Sequence, residues 1–337
     1  MSTNQRDIEE LEKIQQQQHA QLFAELPRAV GLFRADLYLY QGSWLPPHIL
    51  LGAMQLQTHF KHRSTDIFLS SFMKTGTTWL RSLMFTTLNR SRFDFSDHPL
   101  LRNGPHGCFP VVDVYQSTGY PIGDSEDLSF PRLFASHFAH NVLPASITDP
   151  SSGCKFVYVC RDPKDVVVSL WHFILKLRPK ELPPVSFDQV FKAFCEGVTE
   201  YGPYWDHVLG FWKVAHESPD KILFFKYEDI KSDPEAHVKK LAEFMGVPIS
   251  VQEEDNGMVK KIAEFCSFEH LTSLEINKTG FQKITSEYGI PNHAFFRRGE
   301  VGDWKSHLTK AMKEQIDRIT HDKLKGSGLT IGATPES

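Results

Sequence analysis

Between Asp66 and Leu88 the chain passes from a short apolar run, through a loop holding one lysine and one glycine, straight into an amphipathic segment. Asp66-Ile67-Phe68-Leu69-Ser70-Ser71-Phe72 has the length and residue types of a buried strand. Leu80, Leu83, Met84 and Leu88 then recur at i, i+3, i+4 and i+8, which puts them on one helical face. Further strands of the same kind are expected at Arg132 to Ser136, Lys155 to Cys160 and Lys221 to Phe225. Val166, Val167, Leu170, Phe173, Ile174 and Leu177 form a second helical stripe, ended by Pro179. A third helix opens at Asp233-Pro234, turns Val238, Leu241, Ala242 and Met245 inward and stops at Gly246. Strands alternating with helices predict an α/β fold in which a central parallel sheet is flanked by helices.

At 337 residues and 41% hydrophobic content, the chain can bury one large core. We expect one domain over 26–330, a mobile polar N-terminal tail over 1–25 that includes Gln15 to Gln18, and a C-terminal tail over 331–337. With 37 Lys and Arg against 41 Asp and Glu, no long-range field draws the chain to nucleic acid or an anionic membrane, so an anion site must be local. Five cysteines without CxxC spacing suit reduced thiols better than a disulfide framework or a zinc site. The first residues lack the apolar run of a signal peptide, and no stretch of about 18 apolar residues occurs. Those features predict a cytoplasmic protein with no membrane partner. Two segments, 92–130 and 276–303, are rich in Gly, Pro, His and Asp and read as long surface loops, the usual place for lids and binding loops.

The loop Phe72-Met73-Lys74-Thr75-Gly76-Thr77-Thr78-Trp79 has the chemistry of an anion cradle. Gly76 lets backbone approach a phosphate, Thr75, Thr77 and Thr78 add hydroxyls to the free N–H groups of a helix start, and Lys74 adds a charge. The helix dipole supplies only about 0.3 to 1 kcal/mol, so charge-assisted hydrogen bonds of about 1.5 to 3 kcal/mol each must do most of the holding. The lysine precedes the glycine, unlike the GxxxxGK[ST] pattern of nucleotide triphosphatases. Taken alone, the segment also reads as a polar turn capping a helix.

Phe72 to Trp79 resembles the phosphosulfate loop of the cytosolic sulfotransferase family, approximately PKSGTTW, with Met73 for the proline and Thr75 for the serine. That family's second signature, an arginine closing a strand and a serine eight residues later, is matched by Arg161 and Ser169. A third, RKGxxGDWK, is similar to Arg297-Arg298-Gly299-Glu300-Val301-Gly302-Asp303-Trp304-Lys305. The resemblance implies a P-loop-like fold and 3'-phosphoadenosine 5'-phosphosulfate as cosubstrate, without a metal. It further implies that Lys74 to Thr78, Arg161, Ser169, Arg297, Arg298 and Gly299 hold the donor's phosphates. Trp79, Tyr227 and Phe268 would contact its purine. Phrases such as Tyr40 to Pro47 and Cys266 to Glu269 look most like plant members, which sulfate flavonols, steroids, hydroxyjasmonates or desulfoglucosinolates. Lys305, Thr309 and Glu314 keep three positions of the family's dimer motif KxxxTVxxxE, but Lys310 replaces its valine, which predicts a monomer or weak homodimer.

By the same resemblance His137 is the general base on a small acceptor's hydroxyl, with His140 and His172 as rivals. Lys74 would steady charge on the leaving phosphate, and Thr75 would restrain Lys74 until the acceptor binds. Ala135 stands where members outside plants often carry a lysine. The segments His98 to Phe109 and Phe281 to Phe295 are candidates for acceptor contacts and a lid. Alternative functions are a nucleotide-dependent small-molecule kinase, an inactive nucleotide-binding homologue, or a membrane-anchored Golgi sulfotransferase.

Overall fold

The structure is a computed structural model that describes residues 21–114, 131–283 and 289–332. Most of the expected N-terminal tail, the end of the C-terminal tail and much of the first expected surface loop lie outside the described residues. Ahead of the central sheet lies a small antiparallel sheet, β1 (Arg28–Ala29), β2 (Leu37–Tyr40) and β3 (Ser43–Leu45), followed by helix α1 (Pro47–His59). Within the expected tail, the Phe23 ring packs on Tyr38 with centroids 4.8 Å apart. Ile331, the first residue of the expected C-terminal tail, is buried in the main core because it is apolar and follows Leu329 into the same cluster.

The central sheet holds β4 (Ile67–Ser71), β5 (Leu133–Ser136), β6 (Lys155–Cys160) and β7 (Ile222–Lys226) in the spatial order β5-β4-β6-β7. All three pairings are parallel. Alternation along each strand divides the core in two. Phe68, Phe134, Phe156 and Tyr158 face one layer, while Ile67, Leu69, Leu133, Val157 and Val159 face the other. Register turns the first set into an aromatic ladder: Phe68 pairs with both Phe134 and Phe156, at ring distances of 5.3 and 5.2 Å.

The crossovers are helical. Helix α2 (Thr77–Asn89) leaves β4, followed by α3 (Leu100–Cys108); α4 (Pro163–Leu177) leaves β6; and α5 (Tyr204–Glu217) precedes β7. After β7 come α6 (Tyr227–Ser232), α7 (Pro234–Phe244), α8 (Phe268–Ser273), a hairpin of β8 (Phe281–Lys283) and β9 (Gly289–Pro291), and finally α9 (Lys310–Leu324). Helix α7 is capped at its start as expected, with Asp233 accepting from the Ala236 N–H and Pro234 in the first turn. The same Asp-Pro device starts α4, where Asp162 accepts from the Lys164 N–H.

Both expected surface loops hold regular structure. The first contains α3, whose periodicity is interrupted by Gly104 at φ +63° and by Pro105. The second contains the β8–β9 hairpin and short 3₁₀ turns at Asn292–Phe295 and Asp303–Ser306, elements too short to produce a periodic signal.

Candidate active site

Four chain segments leave the carboxyl ends of the parallel strands and converge on one cavity of about 250 Å³. That is where open α/β sheets place their ligands, because crossover helices begin there and present free N–H groups. The loop after β4 contributes Met73, Lys74, Gly76, Thr77, Thr78 and Trp79. His137 follows β5, Arg161 follows β6 with Ser169 two turns into α4, and Tyr227 follows β7. Phe268, Arg297, Arg298 and Gly299 also line the cavity. Of the residues expected to hold the donor or to act in the transfer, leaving aside the two rival histidines, Thr75 alone does not line the cavity. It is fully buried, and its hydroxyl donates to the Phe72 carbonyl at 2.8 Å, a bond that shapes the turn rather than restraining Lys74.

The loop geometry is demanding. Gly76 precedes α2 at φ +116°, and a Cβ there would lie 2.7 Å from the Tyr227 ring. Lys74 is itself left-handed at φ +68°, and its ammonium sits 3.9 Å over the Phe173 ring. Burial, aided by Lys176, Arg161 and Arg297, pulls that ammonium down to about 7. The Thr77 hydroxyl is held 2.7 Å from that of Ser71.

Arg161 lies 4.4 Å over the Tyr227 ring, and its Nη2 donates to the Glu300 carbonyl at 2.6 Å. Asp165, in the first turn of α4, accepts from the N–H groups of Gly302 (2.8 Å) and Trp304 (3.0 Å). This buried carboxylate therefore straps the third motif across the start of α4. Asp303 in turn receives both Arg297 and Arg298. Gly299 is left-handed at φ +67°, with its absent Cβ only 2.6 Å from the Phe268 ring. Trp79 meets Tyr227 edge to face at 5.6 Å. Three buried donors on these walls, Nε of Arg161, Nε of Arg297 and Nε1 of Trp79, have no hydrogen-bond partner. An anionic nucleotide suits such a set, since phosphate oxygens would satisfy guanidinium N–H groups and a purine would pack among Trp79, Tyr227 and Phe268.

His137 is oriented on two sides. Its Nδ1 lies 2.8 Å from the Ser71 carbonyl, which can only accept, so Nδ1 carries the proton and Nε2 keeps its lone pair. Its own carbonyl accepts from His207 Nε2 at 2.9 Å. Burial lowers its basicity, while the Asp113 carboxylate and the Ser71 bond oppose that fall. The rivals lie elsewhere: the His140 ring packs on Phe211 at 5.3 Å and His172 on His307 at 5.3 Å, and neither lines the cavity.

His106 is a wall residue inside the segment expected to contact acceptor. Its ring lies 3.7 Å from that of Phe295, and its Nε2 is 3.4 Å from the Thr78 hydroxyl. Burial holds it well below the ordinary histidine range, so it is neutral. Asp113 and Asp165 carry no motif of their own and are found only through the structure.

Comparison with known proteins follows the same lines. A model of the sulfotransferase domain matches residues 64–328. Cytosolic sulfotransferase 17 of Arabidopsis thaliana is 42% identical over 318 residues, covering 93% of this chain and 90% of that protein. Flavonol 3-sulfotransferase of Flaveria bidentis is 41% identical over 298 residues, covering 88% and 94%. Among solved structures, a mouse sulfotransferase complexed with PAP superposes with a TM-score of 0.63 at 25% identity, covering 86% of this chain and 95% of that one. The chain belongs to the sulfotransferase family and is a sulfotransferase enzyme.

Proposed function

We propose that this enzyme transfers the sulfuryl group of 3'-phosphoadenosine 5'-phosphosulfate to the hydroxyl of a small, largely apolar acceptor, with His137 Nε2 as general base. The observation that carries this reading is the His137–Ser71 bond, which leaves an unprotonated imidazole nitrogen on the cavity that also holds Lys74 and Arg161. Lys74, Thr77, Thr78, Arg161, Ser169, Arg297, Arg298 and Gly299 would hold the donor's phosphates, with Trp79, Tyr227 and Phe268 around its purine. The backbone of Thr75 would complete the loop. Support for the donor comes from the mouse relative complexed with PAP.

In-line transfer needs the acceptor oxygen stripped of its proton and the leaving phosphate stabilised. His137 would take that proton, and Lys74, already held in its charged form by the bound anionic donor, would stabilise the negative charge gathering on the departing bisphosphate. Apolar wall residues including Phe173, Phe295 and Phe296 suit a largely apolar acceptor, a flavonol, another phenol or a steroid, better than a polar desulfoglucosinolate. A phenol ionises near 10 and asks less of a weakened base. The named flavonol 3-sulfotransferase relative points the same way. Relatives named cytosolic support a cytoplasmic location, and among the described residues no helix is long and apolar enough to cross a membrane.

The test is product formation from the donor and a panel of those four acceptor classes, without added metal, read by mass. His137→Ala is expected to lower turnover by about 100- to 10,000-fold while leaving 3',5'-bisphosphate affinity nearly unchanged. Tight bisphosphate binding with no product from any acceptor would favour an inactive homologue.

A further inference from the structure

The strand β5 does not end the sheet alone. Ala135 N–H donates to the Pro110 carbonyl at 2.8 Å, and Val111 bridges Ala135 in parallel, so the segment after α3 runs beside β5 and delivers Asp113 to its end. Asp113 is 1% exposed. One carboxylate oxygen accepts from the Ser136 hydroxyl at 2.7 Å and the other from the His137 backbone N–H at 2.8 Å. The Tyr201 hydroxyl also favours the charged form of this carboxyl. Tyr201 is left-handed at φ +62°, a costly conformation for a tyrosine, and its ring lies 5.4 Å from that of His137. Burial raises the Asp113 carboxyl above its ordinary range, while the neighbouring His137 imidazole and these donors oppose that rise and favour the ionised form.

We propose that Asp113 is a positioning residue for the base: it fixes the His137 backbone and places a buried negative charge where the imidazolium formed during transfer is stabilised. This rests on His137 being the base. The other charged and titratable groups facing His137 are Lys74 from the loop, Arg81 from α2, His106 from α3 and His207 from α5. Lys74 and Arg81 disfavour a charged imidazole. Asp113 is the acid set against them.

Asp113→Asn preserves shape, since the amide oxygen can accept from the His137 N–H and the amide nitrogen can donate to the Ser136 hydroxyl. It is expected to lower kcat about 10- to 100-fold, with donor KM changed less than about twofold. The acid limb of the kcat/KM profile and the His137 titration, followed by NMR of histidine-labelled protein and assigned by signal loss in His137→Ala, should move to lower pH by about one unit. Should Asp113→Asn not fold, Tyr201→Phe, which removes one donor and leaves the charge, is expected to lower kcat about threefold or more at unchanged bisphosphate affinity. An inactive His137→Ala with unmoved kcat and His137 titration in Asp113→Asn, or unmoved kcat in Tyr201→Phe as substitute, overturns the Asp113 assignment alone. Turnover retained in His137→Ala overturns the base assignment and the role of Asp113 with it, whatever the titration shows.

Discussion

Burial and the neighbouring cations pull the Lys74 ammonium down to about 7, far below the 10.5 it has in an unfolded chain. The folded protein therefore binds fewer protons than the unfolded one between those values, and stability from this residue rises with pH across that window. An anionic nucleotide reverses the balance, because it favours the charged amine. At pH 8, where the phosphates are already ionised, binding of 3',5'-bisphosphate should draw in as much as ~0.9 proton per site at Lys74. Calorimetry in buffers of different ionisation enthalpy measures that uptake directly. The Lys74→Met variant should bind without it, and equal uptake in both proteins would place the titrating group elsewhere. Lys74 is legible in the sequence because it stands in a glycine loop between a strand and a helix, and His137 through the family resemblance that singles it out among 16 histidines. Asp113 and Asp165 are not, because each acts on residues 24 or 137 positions away through bonds that only the folded chain creates.

At the level of elements, the side of the cavity proposed to hold the nucleotide is built from backbone brought close to aromatic rings. Gly76 on Tyr227 and Gly299 on Phe268 are the two points of contact, at 2.7 and 2.6 Å from where a Cβ would stand. Both glycines also have positive φ, so alanine would strain the backbone and push the ring at once. Each substitution, Gly76→Ala and Gly299→Ala, is expected to cost about 1–3 kcal/mol. Much of that should appear as weaker bisphosphate binding, measured by titration, since the rings and the loop form the walls of the site. Unchanged affinity in Gly299→Ala would mean that the third motif is not part of the nucleotide wall. The strap formed by Asp165 predicts a related result: Asp165→Ala should weaken bisphosphate binding although its carboxylate is turned toward the Gly302 and Trp304 amides. The helices α2, α4 and α7 announce themselves through apolar spacing and caps. Helix α3 does not, because Gly104 and Pro105 break its pattern in the middle, and the four-residue β5 carries too few alternations to show that another segment pairs beside it.

Across the whole molecule, the proposed site and a set of buried polar pairs occupy opposite ends of the same sheet. The carboxyl ends of β4, β5, β6 and β7 deliver Lys74, His137, Arg161 and Tyr227 to the cavity. Their amino ends carry a different set of polar groups. Asp66, immediately before β4, takes two hydrogen bonds from Arg132, immediately before β5, at 2.8 and 2.6 Å, and both residues are almost fully buried. Arg132 also donates to the Lys61 carbonyl at 3.1 Å. Lys221, before β7, donates to the Ser152 hydroxyl at 2.9 Å. None of these groups lines the cavity. Removing one partner of a buried, hydrogen-bonded ion pair leaves the other charge desolvated and costs about 3–5 kcal/mol. Asp66→Ala is therefore expected to lower the midpoint of denaturant unfolding sharply while kcat, normalised to folded protein, stays within about twofold of wild type. The opposite pattern is expected of His137→Ala, with turnover lost and the unfolding midpoint nearly kept. If Asp66→Ala also altered kcat in the folded fraction, strand register would be transmitting the disturbance along β4 from Asp66 to the loop at Lys74, and the two ends of the sheet would not be independent.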